Sequence, residues 1–469
     1  MADEFAILEG TVPSSTGTQS ITSGSITSCT AALLVWSGNY LQEDADATYG
    51  WAMYRPDDGA NDDSFYQTGW FADARTTTTQ ARCSGANSPS GAAGVFIIGS
   101  GSTIALASVA FVATGIELTW SSVAGVTGGA GYKFWVLLFG GTSNVRLGTG
   151  DATGIGFAPD LILSGTHAAG LNTSQQLNWR QAIGAAANGA SVTQGCFAWT
   201  WNNNADPVVC RNYASTAAFA AEISTTGTVT TGSVASISAS GFSVSGGVAN
   251  EYLAIKFTDD RGAEVGTSLF SGSGVQNVGS LSIAPKLVIG IVSGSDALDT
   301  QANDAGGETV GLFVSDGTTT KCVSFATKQG QTVDGTTPSV GWNRFSDGEV
   351  NLIGNDGTTA FRATSVTMRS GGISWDVQTA MSGAIVLIAI GQSDLTATSD
   401  DAERVSDGSI LNLISYLVLG DTLALSDGLG GLELADGLTA LQDTGSVFQG
   451  GAHKGTVLQG GAVAGVVEG

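Results

Sequence analysis

Two hydrophobic patterns recur along this chain. In one, apolar residues run almost unbroken, as in "TAALLVWSG" (Thr30–Gly38), "YKFWVLLFGG" from Tyr132 and "AIVLIAIGQ" from Ala384. In the other, small or polar residues alternate with apolar ones, as in "VASISASGFSVS" (Val234–Ser245). Both kinds of run are short and are bounded by Gly, Asn, Asp and Ser, which reads as many short β-strands joined by tight turns. One run, "SILNLISYLVL" (Ser409–Leu419), reads equally as a short helix or a buried strand.

The runs fall into three landmarks that repeat in the same order. The first is an apolar strand after a loop: "TAALLVWSG", "FAPDLILSG" (Phe157–Gly165) and "IAPKLVIGI" (Ile283–Ile291). Pro159 and Pro285 suit the start of such a strand, where no ladder N–H is required. The second is an apolar strand containing Gly, then a polar turn and another strand, beginning at Tyr49, Ala182 and Val310. Each predicts a hairpin, with Asn188-Gly189 and Asp316-Gly317 as turn pairs that accept positive φ. The third is the alternating run with a central Gly: "VAFVATGIELTW" (Val109–Trp120), "VASISASGFSVS" and "TSVTMRSGGISWDV" (Thr364–Val377), each followed by a closing apolar strand. Their glycines, Gly115, Gly241 and Gly372, are 126 and 131 residues apart.

A period of that size is a domain rather than a solenoid rung, because solenoid repeats run about 20–50 residues. Each copy holds about seven to nine short strands, which predicts an antiparallel β-sandwich of jelly-roll or Greek-key topology. The chain is therefore expected to be all-β, with three tandem jelly-roll-like sandwiches at 29–146, 147–266 and 267–393. Residues 1–28 read as an extended arm rich in Ser, Thr and Gly. Residues 394–469 read as a β-rich assembly segment, with "SDGL" and "ADGL" turns nine residues apart and a final "VLQGGAVAGVVEG" that expects cover from a neighbouring subunit.

Composition narrows the function classes. Of 469 residues, 42% are hydrophobic, 12% are charged and 68 are Gly, which is too apolar for a disordered chain and too Gly-rich for a helical one. The formal net charge of -24 opposes a phosphate backbone, so nucleic acid is not an expected partner. No apolar run reaches membrane-spanning length, so no membrane insertion is expected, and "MADEFAILEG" lacks the basic-then-apolar order of a secretion signal. The five cysteines (Cys29, Cys83, Cys196, Cys210, Cys322) are widely spaced and read as buried free thiols, with a Cys196–Cys210 bridge left open.

The order "GFAPDLIL" (Gly156–Leu163), "VASISASGFSV" (Val234–Val244) and "YLAIKF" (Tyr252–Phe257) resembles a β-rich repeat of tailed-bacteriophage virion proteins. Members of that group open with Gly-Phe-x-Pro, carry an alternating strand ending Asp-Gly-Phe-Thr and close with a Tyr-Leu-Ala strand. The resemblance covers about 29–393. Here Thr114, Ser240 and Gly371 stand where the Asp is usual, and the first copy lacks Phe-x-Pro. The resemblance implies a virion location after assembly in the host cytoplasm, and it carries no catalytic residue.

Candidate chemistry is sparse. His167 and His453, the only two histidines, sit among small residues in expected loops, and no Ser/His/Asp or Cys/His set forms around either. The pairs Asp57-Asp58, Asp62-Asp63 and Asp259-Asp260 could serve a glycosidase only if they faced one another, and adjacent residues do not. "DDGANDD" places Asp57, Asp58, Asp62 and Asp63 close enough to make calcium the cation of choice, with "DALDTQAND" (Asp296–Asp304) as a weaker cluster. No other cofactor is expected. Trp199 and Trp201 alternate with Thr200 and so share a strand face, which, if exposed, is the best candidate for a glycan or partner contact.

These features predict a non-enzymatic virion structural protein. It would form a symmetric homo-oligomer, a trimer by analogy with fibrous virion proteins. It would sit with other virion proteins on the tail (tip or fibre) or as a capsid decoration, with a contribution to host attachment. The alternatives are an adhesin module for a host receptor or glycan, and a spike depolymerase.

Overall fold

The computed structural model describes residues 5–37, 47–57, 64–71, 81–88, 95–99, 102–123, 132–167, 172–176, 178–202, 209–224, 226–248, 250–258, 261–304, 309–327, 341–354, 358–393, 439–441, 446–451, 454–459 and 462–468; in part of these, notably the strands between 64 and 104 and all of 439–468, it describes the backbone alone. The chain forms two compact units, Met1–Ser393 and Asp394–Gly469. The described residues are all-β, every strand pair is antiparallel, and no helix among them is long and apolar enough to cross a membrane.

Each repeat builds a large sheet and a small one. In repeat 1 the large sheet uses β1 (Phe5–Thr11), β3 (Ala31–Ser37), β4 (Ala47–Tyr54), β5 (Ser64–Phe71), β6 (Ala81–Ser88) and β10 (Lys133–Phe139), in the order β1-β10-β3-β4-β5-β6. Its small sheet runs β2-β9-β8-β7, from β2 (Gly17–Thr22), β7 (Val95–Gly99), β8 (Ser102–Val112) and β9 (Gly115–Ser122).

Repeat 2 copies the plan. Its large sheet is β11-β20-β12-β14-β15-β16, from β11 (Thr142–Thr149), β12 (Leu161–His167), β14 (Asn178–Asn188), β15 (Val192–Asn202), β16 (Val209–Ser215) and β20 (Asn250–Phe257). Its small sheet is β17 (Ala220–Ile223), β18 (Val229–Ser238) and β19 (Gly241–Gly246).

Repeat 3 has β21-β31-β23-β25-β26-β27, from β21 (Arg261–Phe270), β23 (Ile283–Ser293), β25 (Thr309–Ser315), β26 (Thr320–Thr327), β27 (Gly341–Asp347) and β31 (Gly383–Ser393). Its small sheet is β22-β30-β29-β28, from β22 (Gly274–Val278), β28 (Glu349–Ile353), β29 (Thr359–Arg369) and β30 (Gly372–Thr379).

This order differs from a jelly roll, in which successive strands alternate between sheets. Here four strands meander in the large sheet, three cross to the small sheet, and the closing strand returns beside the opening one, a Greek-key return with the small sheet inserted. The alternating landmark proves to be a hairpin rather than one interrupted strand. Val112 pairs with Gly115, Ser238 with Gly241 and Arg369 with Gly372 across two-residue turns. At the Asp316-Gly317 turn, Gly317 takes φ +84° while an Asp316 Oδ1 accepts the amides of Thr318 and Thr319 at 2.8 and 2.6 Å. The Asn188-Gly189 turn forms without positive φ at Gly189.

Two expectations about boundaries need correction. Residues 5–28 are no separate arm: β1 pairs along all of β10 and β2 along β9. The equivalent strands β11 and β21 precede their own repeats, so the expected cut at 146/147 runs through β11 and that at 266/267 through β21.

The three repeats follow one another along the chain, and besides its own core each contributes to a shared one. One buried cluster draws on all three large sheets, including Leu33 and Trp51 of repeat 1, Leu163 and Phe197 of repeat 2, and Ile289 and Leu312 of repeat 3. The alternate residues face outward into each repeat's own sandwich: Leu34, Trp36 and Trp120 in the first, Ile162, Phe242 and Tyr252 in the second, Val288, Phe361 and Trp375 in the third. The opening and closing strands are thus buried on both faces, which is why those of repeats 1 and 3 are apolar at most positions.

The second unit contains a four-stranded meander, β32 (Thr439–Leu441), β33 (Ser446–Gly451), β34 (Lys454–Gln459) and β35 (Ala462–Glu468). The "SILNLISYLVL" run, the "SDGL" and "ADGL" turns and His453 lie outside the described residues.

Candidate functional site

The residues that the fold brings together from all three repeats meet in the shared core. Tyr49 on β4 stacks on Phe325 on β26, with ring centroids 3.8 Å apart and planes 4° from parallel. Trp199 on β15 packs on the same Phe325 at 5.5 Å. The Tyr49 hydroxyl donates to Gln181 Oε1 at 2.8 Å and accepts the Trp199 indole N–H at 3.4 Å. All four side chains are buried, so the two polar groups of Tyr49 and Gln181 satisfy each other where water is absent. The sequence-level candidate Trp199 is therefore no exposed platform: it is 1% accessible and spends its face on the core. Trp201 continues the same strand, opposite Trp179, with its side chain outside the described residues.

Every pair of repeats shares a seam, so the three close on one another. Between repeats 1 and 3, Lys321 Nζ lies 2.6 Å from Glu9 Oε2 and 2.8 Å from Asp347 Oδ1, and Lys133 sits 5.3 Å over the Phe345 ring. Burial works against the Lys321 ammonium, yet its hydrogen bonds to Asp347 and Glu9 and their charges outweigh that and raise its pKa above the ordinary value. Between repeats 1 and 2, Thr142 Oγ1 donates to Thr30 Oγ1 at 2.6 Å. Between repeats 2 and 3, the Val265 amide donates to Thr193 Oγ1 at 3.0 Å and Thr267 Oγ1 donates to the Ser215 carbonyl at 3.1 Å.

Strand exchange reinforces two seams. β13 (Asn172–Gln176), inserted between β12 and β14, adds to the outer edge of β6 in repeat 1. β24 (Ala302–Asp304), inserted between β23 and β25, adds to the outer edge of β16 in repeat 2.

The acidic run around β24 is part of that second junction. Asp299 takes φ +53° and accepts the Ser215 hydroxyl at 3.0 Å, the Thr216 amide at 2.9 Å and the Thr216 hydroxyl. Burial raises its carboxyl pKa, but these hydrogen bonds outweigh burial and hold it below the ordinary 3.8. A depressed carboxylate contributes stability above its unfolded pKa and loses it as the pH falls through the folded value. Asn tolerates positive φ, so Asp299→Asn isolates the charge. The variant is expected to melt earlier than the wild type at neutral pH, and the gap is expected to close below about pH 3.8, as thermal scans across pH will show.

Among the described residues the remaining candidates gather no site. Asp57 is exposed, whereas Asp58, Asp62, Asp63, Asp259 and Asp260 lie outside the described residues. Among the described residues no group of three His, Cys, Asp or Glu side chains converges to hold a metal ion. His167 ends β12, opposite Gln181, rather than lying in a loop.

Cys196 lies opposite Ser215 and Cys210 opposite Trp201, five positions apart along the pair, roughly 17 Å at 3.4 Å per residue. No disulfide spans that distance. Cys29, Cys196 and Cys322 are free and buried. Burial pushes the thiols of Cys29 and Cys322 up to about 12 and Cys196 upward as well. All three are expected to resist maleimide at pH 8 in the folded chain and to react once it is unfolded, read by mass spectrometry.

No known protein family, curated protein or solved structure matches this chain.

Proposed function

We propose that this chain is a non-enzymatic structural protein of a bacteriophage virion, placed on the tail as part of a tip or fibre, or on the capsid surface. The observation that carries the reading is the closed body of three like repeats around one core. A single chain here presents three similar faces about a common centre, a form suited to seating on a symmetric partner. The order of its "GFAPDLIL", "VASISASGFSV" and "YLAIKF" strands, which resembles that of virion repeats, points the same way.

Assembly with further copies runs through the second unit. The sequences of its strands, "SVFQGG", "KGTVLQ" and "AVAGVVE", set apolar residues next to one another, a pattern suited to strands that a neighbouring copy covers.

Immunogold electron microscopy with mass spectrometry of purified particles tests the reading. The expected result is a fixed copy number at one place on the particle. Complete particles that lack the chain overturn it. Selective binding to one sugar class on a glycan array favours the adhesin instead.

A further inference from the structure

Two of the three large sheets end on a strand lent by the next repeat. β13, from the link between β12 and β14, adds antiparallel to the outer edge of β6. β24, from the link between β23 and β25, adds antiparallel to the outer edge of β16. In both cases the donor is the link that follows a repeat's opening strand. In both the acceptor is the last large-sheet strand before the chain crosses to the small sheet of the preceding repeat. With three repeats set about one core, repeat 1 is the neighbour that remains for repeat 3.

The acceptor is in place. Among the described residues the large sheet of repeat 3 has six strands and ends at β27, where the other two have seven and end on β13 and β24. β27 matches β16 residue by residue. Ser215 lies opposite Cys196 and Asn212 opposite Trp199, while Ser346 lies opposite Cys322 and Asn343 opposite Phe325. β24 pairs with Cys210–Asn212, so the corresponding stretch of β27 is Gly341–Asn343. The β27 side chains are covered as an interior strand's are, with Trp342, Asn343, Phe345 and Ser346 all buried.

The corresponding donor in repeat 1 is the link 38–46, between Ser37 of β3 and Ala47 of β4. It lies outside the described residues, but the two strands it joins each lie against β27, as β14 lies against β6 at the first exchange. Its nine residues compare with the ten, 168–177, that carry β13. Its sequence, "GNYLQEDAD", contains Asn and Gln, as do "NTSQQ" of β13 and "QAND" at β24. None of the three contains Pro, which would remove a ladder donor.

We infer that the outer edge of β27, around Gly341–Asn343, is the seat of residues 38–46 of the same chain, added as an antiparallel strand. The exchange is then cyclic: repeat 2 lends to repeat 1, repeat 3 to repeat 2, and repeat 1 to repeat 3. Main-chain hydrogen bonds tie the first repeat to the last, at the seam where Lys321 meets Glu9 and Lys133 covers Phe345. Filling the edge also denies it to strands of other polypeptides.

The test uses the full chain. Amide hydrogen exchange in the wild type is expected to be as slow at Gly341–Asn343 as at Cys210–Asn212, which pair with β24. Replacing 38–46 by a Gly-Ser linker of equal length is expected to speed exchange at Gly341–Asn343 at least about tenfold and to leave Cys210–Asn212 unchanged. Equal exchange at Gly341–Asn343 in the two proteins overturns the inference. A second measurement keeps the segment: a photoactivatable benzophenone side chain placed at Gln42 is irradiated in a mixture of isotopically light and heavy copies, and the products are mapped by mass spectrometry. Cross-links to β27 within one copy are expected. Cross-links to other elements overturn the inference, and so do cross-links to β27 between light and heavy copies, which give the edge to a second copy. A linker variant that fails to fold leaves this second measurement intact.

Discussion

Replacing Phe325 by Ala is expected to cost about 3–5 kcal/mol and to loosen all three repeats at once. Phe325 is fully buried, and its ring contacts Tyr49 of repeat 1 and Trp199 of repeat 2. The cavity thus opens where the three large sheets meet. The transfer and cavity terms are those of any buried Phe, and the stacked pair adds about 0.5–1.5 kcal/mol. Phe361→Ala is the comparison, because Phe361 is equally buried but lies in the outer core of repeat 3, against Phe270 and Trp375. Hydrogen exchange separates the two. Phe325→Ala is expected to raise exchange in β4 and β15 as well as β26, and Phe361→Ala chiefly in β28–β30. If Phe325→Ala leaves β4 and β15 as protected as in the wild type, the repeats are independent sandwiches and the shared core holds nothing together.

The strands and their threefold repetition were legible in the sequence because turn chemistry and side-chain alternation are local. Asp316-Gly317 declares its hairpin in two residues, and "VASISASGFSVS" alternates because one face of β18 and β19 meets solvent. The closed arrangement was present too, in a signal that is easily read too coarsely. Ala31–Ser37 is buried at every position, and a strand in a free-standing sandwich would alternate with polar residues instead. Unbroken "AALLVWS" beside alternating "VASISAS" distinguishes a sheet covered on both faces from one covered on one.

The cluster of Tyr49, Gln181, Trp199 and Phe325 had no such signal. These four residues come from three repeats and different strand positions, so only the seams between repeats bring them together. Trp199 looked like a surface platform for that reason: alternation shows that Trp199 and Trp201 share a face, and the neighbouring repeat decides what the face meets. Asp299 misled in a similar way. An acidic run suggests a cation, whereas here hydroxyl and amide donors from repeat 2 take up the carboxylate.

Gly241→Val is expected to be as damaging as a core truncation, about 2–5 kcal/mol, although no packed side chain is lost. Gly241 sits at φ +142°, a region that β-branched residues avoid, and an added Cβ would overlap the Ala152 carbonyl. The Val side chain must therefore push Ala152 away from Phe242, which breaks the reciprocal Ala152–Phe242 hydrogen bonds that tie the entry segment of repeat 2 to its small sheet. Gly372→Val, at φ +147° against the Val278 carbonyl, is expected to behave alike but to fall toward the lower figure, because β22 retains its other pairs with β30. Gly189→Ala is the control. That turn residue has no positive φ and its nearest neighbour is the Ser191 carbonyl at 3.6 Å, so the change is expected to be neutral or stabilising by up to about 1 kcal/mol. Denaturant midpoints measured on the three full-length variants give the order. Should Gly241→Val unfold with the same midpoint as Gly189→Ala, the repeated glycine is only a turn residue and the close approach of the entry strand does not constrain it. If instead the two landmark variants fall well below the control, the glycine spaced at 126 and 131 residues marks where each entry segment is pinned to its sandwich.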